Sequence, residues 1–224
     1  MRRVVVYAGT RNLYHAMTVA LKSLLHHTQV DRVVFLIEDD TFPEYLPPVV
    51  EVLNVSGQAW FPPEGPNYGS HWTYMTMMRL AVPFLLPEED FALWLDVDTI
   101  VHRDIGPAFG IDLMDNCFGA AREPSRGAGQ HLYFNAGVLL MNLRELRDSG
   151  KAAQLVWTVN HQGLPCVDQD AINRVCDARI LEIPPEYNSC RFTELVPSPR
   201  IVHHAADREY HRCDDYKTYD QMGW

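Results

Sequence analysis

An α/β fold, with a mixed and mainly parallel sheet flanked by helices, follows from three features of this chain. Its apolar runs are short and do not alternate, as at Val4-Val5-Val6-Tyr7-Ala8, Val33-Val34-Phe35-Leu36-Ile37 and Phe91-Ala92-Leu93-Trp94-Leu95, which marks strands covered on both faces. Helical patterns alternate with them. Each run then stops at a small or acidic turn, Gly9-Thr10, Glu38-Asp39-Asp40 and Asp96-Val97-Asp98, and sheets of this kind bind ligands at the carboxyl ends of their strands.

The elements can be justified in order. After the first strand, Leu13, Ala16, Met17, Ala20, Leu21, Leu24 and Leu25 share one helical face. The run 33–37 is the second strand, and 49–55 offers a third after a proline-rich connection. Pro62-Pro63-Glu64-Gly65-Pro66 breaks the chain before a methionine-rich helical segment, 72–86, interrupted near its end by Pro83. Beyond the Asp96 strand come a short strand at 118–121 and a polar, glycine-containing surface loop at 123–130. The buried run 133–141 follows, then helices at 143–159 and 168–175 and strands at 180–183 and 201–203. No repeat, low-complexity tract or linker divides the chain, so residues 1–224 read as a single domain.

Composition narrows the function. With 47% hydrophobic and 21% charged residues the chain is an ordinary globular one. A net charge of -10 repels nucleic acid and anionic lipid, so any phosphate-bearing ligand must meet a local positive site. No stretch is long and apolar enough to be a spanning helix, and Met1-Arg2-Arg3 runs straight into the first strand rather than into a signal sequence. Five scattered cysteines without a Cys-x-x-Cys pair fit reduced thiols and a cytoplasmic location.

The chemistry starts at Asp96 and Asp98. Two carboxylates at i and i+2 of an extended segment point to the same side, and without a counter-charge one of them would be driven to protonate. A divalent metal supplies that charge, and hard oxygen ligands suit Mg²⁺ or Mn²⁺. Two solvated surface acids are the plainer alternative. Asn135 is an amide inside a buried run and needs partners. Gly137 removes a side chain where either a ligand or a packed neighbour approaches closely. Asp168, in Asp168-Gln169-Asp170, precedes a helical segment and has the position of an N-cap as well as of a site residue.

With the Asp96 strand, the Tyr133-Phe134-Asn135-Ala136-Gly137-Val138 segment, Asp168-Gln169-Asp170 and His203 in this order, the chain resembles glycosyltransferase family 8, retaining enzymes that include glycogenin and lipooligosaccharide galactosyltransferases. The resemblance runs from the first strand to about His203. It implies a GT-A-type fold, a UDP-hexose donor (glucose or galactose) and Mn²⁺, with Mg²⁺ as the alternative. It also implies Asp96, Asp98 and His203 as metal ligands, an imidazole tilting the preference toward Mn²⁺, although His204 stands next to His203. Gln169 and Asp168 match the pair beside the anomeric carbon, where an oxygen stabilises positive charge on the sugar. The donor-binding set carried over is Ala8, Thr10, Asn12, Arg79, Asp96, Asn135, Ala136 and Arg208.

Departures from the family pattern are specific. The family's acid and tyrosine in the first turn are replaced by Thr10 and Leu13, leaving Asn12 and a displaced Tyr14 as a stacking ring for the base. A glycine and Lys-Pro-Trp after the histidine give way to Ala205-Ala206-Asp207-Arg208-Glu209-Tyr210, so Arg208 or Arg212 becomes the candidate diphosphate cation. Tyr187-Asn188 matches a family pair of structural character. A front-face mechanism and a covalent intermediate on Asp168 both fit. The acidic, aromatic tail favours a soluble acceptor or a protein partner over a lipid surface. Two other functions share such a sheet: a sugar-nucleotide nucleotidyltransferase, which would carry a glycine-rich basic first turn, and a non-catalytic carbohydrate-binding protein.

Overall fold

The computed structural model describes residues 2–70, 73–126 and 132–224. In chain order these form β1 (Val4–Ala8), α1 (Tyr14–His27), β2 (Arg32–Ile37), β3 (Val50–Asn54), α2 (Tyr74–Met77), α3 (Val82–Leu85), β4 (Phe91–Leu95) and β5 (Thr99–Val101). The second half adds β6 (Phe118–Arg122), β7 (Phe134–Asn142), α4 (Leu143–Asp148), α5 (Lys151–His161), α6 (Val167–Val175), β8 (Ile180–Glu182), β9 (Ile201–His203) and α7 (Asp214–Asp220). A seven-stranded sheet runs in the order β3-β2-β1-β4-β7-β6-β8, and β5 pairs with β9 in a separate ribbon. Within the large sheet β7 is antiparallel to both β4 and β6, and the other pairings are parallel.

The unalternating strands have the predicted cause. Side chains on a strand point alternately to the two faces, and here each face carries its own core. Val4, Val6, Val34, Leu36, Ala92 and Trp94 meet the methionine-rich segment, α5 and α6, while Val5, Tyr7, Val33, Phe35, Leu93 and Leu95 meet Met17, Leu21 and Leu24 of α1.

Local structure departs from the sequence reading at four places. The segment 143–159 is two helices, because Gly150 takes φ 71, a left-handed conformation that glycine adopts without a side-chain clash. Likewise, 72–86 is not one helix. Trp72 lies outside the described residues, and α2 passes through a 3₁₀ turn at Met78–Leu80 into α3, where Pro83 sits in the first turn rather than near an end. Strand β5 was not assigned at all. Nor was α7, whose Tyr216 and Tyr219 cover Ala16, Val19 and Ile100.

An irregularity in β7 prepares the site. Between the β6–β7 pairs Ala120↔Leu139 and Arg122↔Phe134, β7 advances five residues (139 − 134) while β6 advances two (122 − 120). Asn135, Ala136 and Gly137 lie in this excess, released from β6. Gly137 instead closes onto the β4 end, its carbonyl accepting from Asp96 N at 2.8 Å.

Candidate active site

The turn after β4 fixes the acid pair. Thr99 donates to the Asp96 carbonyl through its N–H at 3.1 Å and its hydroxyl at 2.7 Å. Thr99 then pairs with His203 across the β5–β9 ribbon. As a result His203 Nε2 lies 3.4 Å from Asp98 Oδ1 and 3.9 Å from Asp96 Oδ2. Its other nitrogen, Nδ1, is 2.9 Å from Oδ1 of the fully buried Asn188, so the outer hydrogen bond turns Nε2 toward the acids. Tyr187-Asn188 is thus structural as expected, and Asn188 also donates to Asn135 Oδ1 at 2.9 Å.

Electrostatics follows from burying these groups together. Burial raises the Asp96 carboxyl, Asp98 pushes it further the same way, and Arg79 opposes. Burial works against ionised Asp98 too, but the His203 charge outweighs it and the net shift is downward. His203 loses stability as a cation through burial, yet the Asp98 carboxylate raises it to about 10. One ligand atom from each of the three lies within 4.8 Å of the others, and two carboxylates with one imidazole suit Mn²⁺ or Mg²⁺. The residues therefore fit a divalent ion, which would replace the imidazolium as the local positive charge, since a ligating imidazole is neutral.

Arg79 is the hub of the neighbouring half. Only 3% exposed, it reaches Asp96 Oδ1 at 2.8 Å and Asp168 Oδ2 at 3.0 Å and donates to the Ala136 and Thr76 carbonyls. Trp94 lies under its guanidinium at 4.8 Å and donates its own N–H to Asp96 at 2.8 Å. Asp168 is accordingly not the N-cap of α6; that position is Cys166, and Asp168 in the first turn points at Arg79. Gln169 Oε1 accepts from Ala136 N at 2.9 Å, and its Nε2 donates to Glu123 Oε2 at 3.1 Å. Both ends of this amide are thereby fixed in direction.

These groups line one cavity of about 240 Å³, together with Thr76, Glu123, Arg126, Asn135, Cys166 and Phe192. Of these six only Asn135 was expected from the sequence, and the two charged ones, Glu123 and Arg126, matter most. Glu123, expected at the start of a surface loop, is 2% exposed and joins Gln169, Asn135 and Arg126. Arg126 also reaches Cys166 Sγ at 2.6 Å, and of the cations considered it is the one beside Arg79 that lines the cavity. A strand-end acid followed three residues later by an arginine was the available signal. Residues 127–130 of that loop lie outside the described residues.

Other expected residues fall elsewhere. Arg208 and Arg212 are exposed and absent from the cavity lining, and Arg212 pairs with Glu209 at 2.8 Å. Thr10 and Asn12 bond each other at the end of β1, outside the lining, as is Ala8; continuing the β1–β4 register puts Ala8 level with Asp96. Tyr14 is corrected outright. It is 2% exposed, packs on Phe42 and gives its hydroxyl to Asp39, so it offers no ring for stacking.

Asp168 carries a pH signature. Burial, aided by the Asp96 charge, raises it to about 6 against the pull of Arg79, compared with roughly 3.9 for an unfolded aspartate. The folded state holds this proton more tightly, so its contribution to stability is greatest below about pH 4 and falls as the pH rises through about 6. Asp168→Asn should flatten that part of the profile in chemical denaturation with chelator present. An unchanged slope would place the titration elsewhere.

A twisted, mainly parallel sheet with an acid pair at the end of its central strand and a histidine from a terminal ribbon beside it defines a GT-A-type fold. The family model "Glycosyl transferase family 8" matches residues 4–205, and the chain belongs to that family. Among curated relatives, the glycosyltransferase GlyE of Streptococcus pneumoniae is 28% identical over 84% of this chain and 48% of its own length. GlyA of the same organism is 24% identical over 100% of this chain and 34% of its own. The chain thus spans less than half the length of either. Among solved structures, the galactosyltransferase LgtC, in complex with donor and acceptor sugar analogues, superposes with a TM-score of 0.73 at 21% identity, covering 97% of this chain and 95% of its own. The apo form of GlyE superposes at 0.76 and 23%, covering 100% of this chain and 61% of its own. Among the described residues no helix is long and apolar enough to cross a membrane.

Proposed function

We propose that the chain is a retaining glycosyltransferase that moves a hexose, glucose or galactose, from a UDP-sugar to an acceptor, with Mn²⁺ on the donor. The carrying observation is the convergence of Asp96, Asp98 and His203 in the lining of a cavity that Arg79, Asp168 and Gln169 also line. Family membership supports the reaction class. The name of LgtC, a galactosyltransferase crystallised with donor and acceptor sugar analogues, supports a sugar donor here.

A divalent ion held by Asp96, Asp98 and His203 would supply Lewis-acid neutralisation of the leaving diphosphate. Arg126, at the cavity wall, offers a second cation in the place we expected Arg208 or Arg212 to fill. Gln169 faces the sugar with an amide already aimed by Ala136 N and Glu123, so its oxygen can stabilise positive charge at the anomeric carbon without reorganising. The bond from that carbon to the phosphate oxygen breaks, the acceptor oxygen bonds to the same face, and the departing phosphate oxygen takes the acceptor proton. Asp168 is committed to Arg79 and acts here by holding that cation in place.

Donor turnover should require a divalent ion and stop with chelator. Calorimetric Mn²⁺ titrations in the presence of UDP should show weakened binding for Asp96→Ala, Asp98→Ala and His203→Ala, and unchanged affinity in all three would refute the ligand set. Gln169→Ala should lower kcat by about 10²–10³ with little change in KM, as expected for an interaction that strengthens in the transition state. Proton NMR of the fresh product should report the donor's anomeric configuration; inversion would end the retaining mechanism.

A further inference from the structure

Next to the ligand His203 stands a second histidine that the proposed reaction does not use. His204 is the residue immediately after β9, and its ring bonds Asp215 on the following helix. The turn that follows, closed by Asp207 N on the His204 carbonyl at 2.9 Å, brings Asp207 back toward it, with Ala206 at φ 56. A 3₁₀ turn at Tyr210–Arg212 then delivers Cys213, the N-terminal flanking residue of α7, whose side chain makes no capping bond to that helix. One ligand atom from each of His204, Asp207 and Cys213 lies within 4.8 Å of the others.

A support for the imidazole is already built. His204 Nε2 sits 3.0 Å from Asp215 Oδ2, and His102 Nε2 approaches the same oxygen at 3.2 Å. A carboxylate on one ring nitrogen is the arrangement that orients metal-binding histidines and frees the other nitrogen for the ion. The donors also differ in kind from the Asp96, Asp98 and His203 set: sulfur, nitrogen and oxygen together select a borderline-soft ion.

We propose that His204, Asp207 and Cys213 form a second metal site, distinct from the donor site, that takes Zn²⁺ with solvent as the fourth ligand. Its role is to brace. It joins the end of β9 to the start of α7, and α7 in turn covers α1 and β5 through Tyr216 and Tyr219. His204 N also donates to the Asp98 carbonyl at 2.9 Å, so the same loop touches the backbone of the donor-site turn.

Co²⁺ bound to the full chain is the probe, because a thiolate ligand gives a charge-transfer band that an oxygen and nitrogen site cannot. One equivalent should produce the band, Zn²⁺ should displace it, and Cys213→Ser, His204→Gln and Asp207→Asn should each abolish it. Asp98→Ala should keep it. That arm matters because the Cys190 thiol faces His203, and a band lost with Asp98 would belong to the donor site. Asp215→Asn should weaken Zn²⁺ by about 10–100-fold, the effect of losing an orienting carboxylate. Circular dichroism of each variant without metal separates lost ligation from lost fold, and Asp207→Asn, in a surface loop, is the variant least coupled to folding. Absence of the band in the parent protein, or its survival in any of the three ligand variants, overturns the site, whatever the outcome of the turnover assays.

Discussion

Gly137→Ala is expected to abolish tight divalent-ion binding while leaving every proposed ligand in the chain. A Cβ on residue 137 would stand 2.0 Å from Cε1, 2.5 Å from Nδ1 and 2.7 Å from Nε2 of His203. The ring cannot step aside, being 6% exposed and held between Asn188 and Asp98. Overpacking of this kind costs about 1–3 kcal/mol where the surroundings can shift, and here the shift must move Nε2 off the acid pair. Mn²⁺ affinity measured by calorimetry with UDP should fall as far as it does in His203→Ala. The double variant Gly137→Ala/His203→Ala should be more stable than additivity allows, because the methyl group enters space the ring has left. Parent-like Mn²⁺ affinity in Gly137→Ala would mean that His203 is not a ligand.

This glycine shows where sequence reading ran out. Its missing side chain was visible, and a close neighbour was inferred, but the neighbour lies 66 residues away (203 − 137) and arrives through a ribbon of two three-residue strands. Strand β9 was legible as Ile201-Val202-His203, but β5 follows the acid turn with no break to set it off, and the approach of His203 to Asp98 rested on family resemblance alone. The acid pair was legible because everything that makes it informative is local: a buried strand and the turn at its end. Glu123 was not, since Gln169 and Asn135, which close over it, are brought by α6 and β7, and Arg126 three residues on was its one local signal. Tyr14 was misread for the same reason. Its core position depends on Asp39 and Phe42, which the β2 end brings to it. For α7 a signal existed, Tyr216 and Tyr219 at helical spacing, and the acidic residues around them concealed it.

The largest stability loss should come from Arg79→Met. Arg79 is the cation between two buried carboxylates, and breaking a buried ion pair by removing one partner costs about 3–5 kcal/mol because the remaining charge stays buried and unpaired. Here both Asp96 and Asp168 lose their partner, and the Ala136 and Thr76 carbonyls lose a donor. Lysine should not restore the site, since one ammonium cannot reproduce a planar fork shared among four acceptors. The pH dependence has a definite sign. Asp168 already titrates above its unfolded value because of burial, and Arg79 is the group that pulls it down. Without Arg79 its carboxyl rises further, so the folded state gains protons that the unfolded state lacks over a wider range, and the deficit grows as the pH rises. Chemical denaturation should therefore show Arg79→Met far less stable than the parent at neutral pH and closer to it in mild acid. Adding Asp168→Asn to the variant should recover part of the loss by removing one of the two stranded charges. A deficit independent of pH, or no recovery with Asp168→Asn, would show that Arg79 acts through packing on Trp94 and not as the counter-charge of the acids.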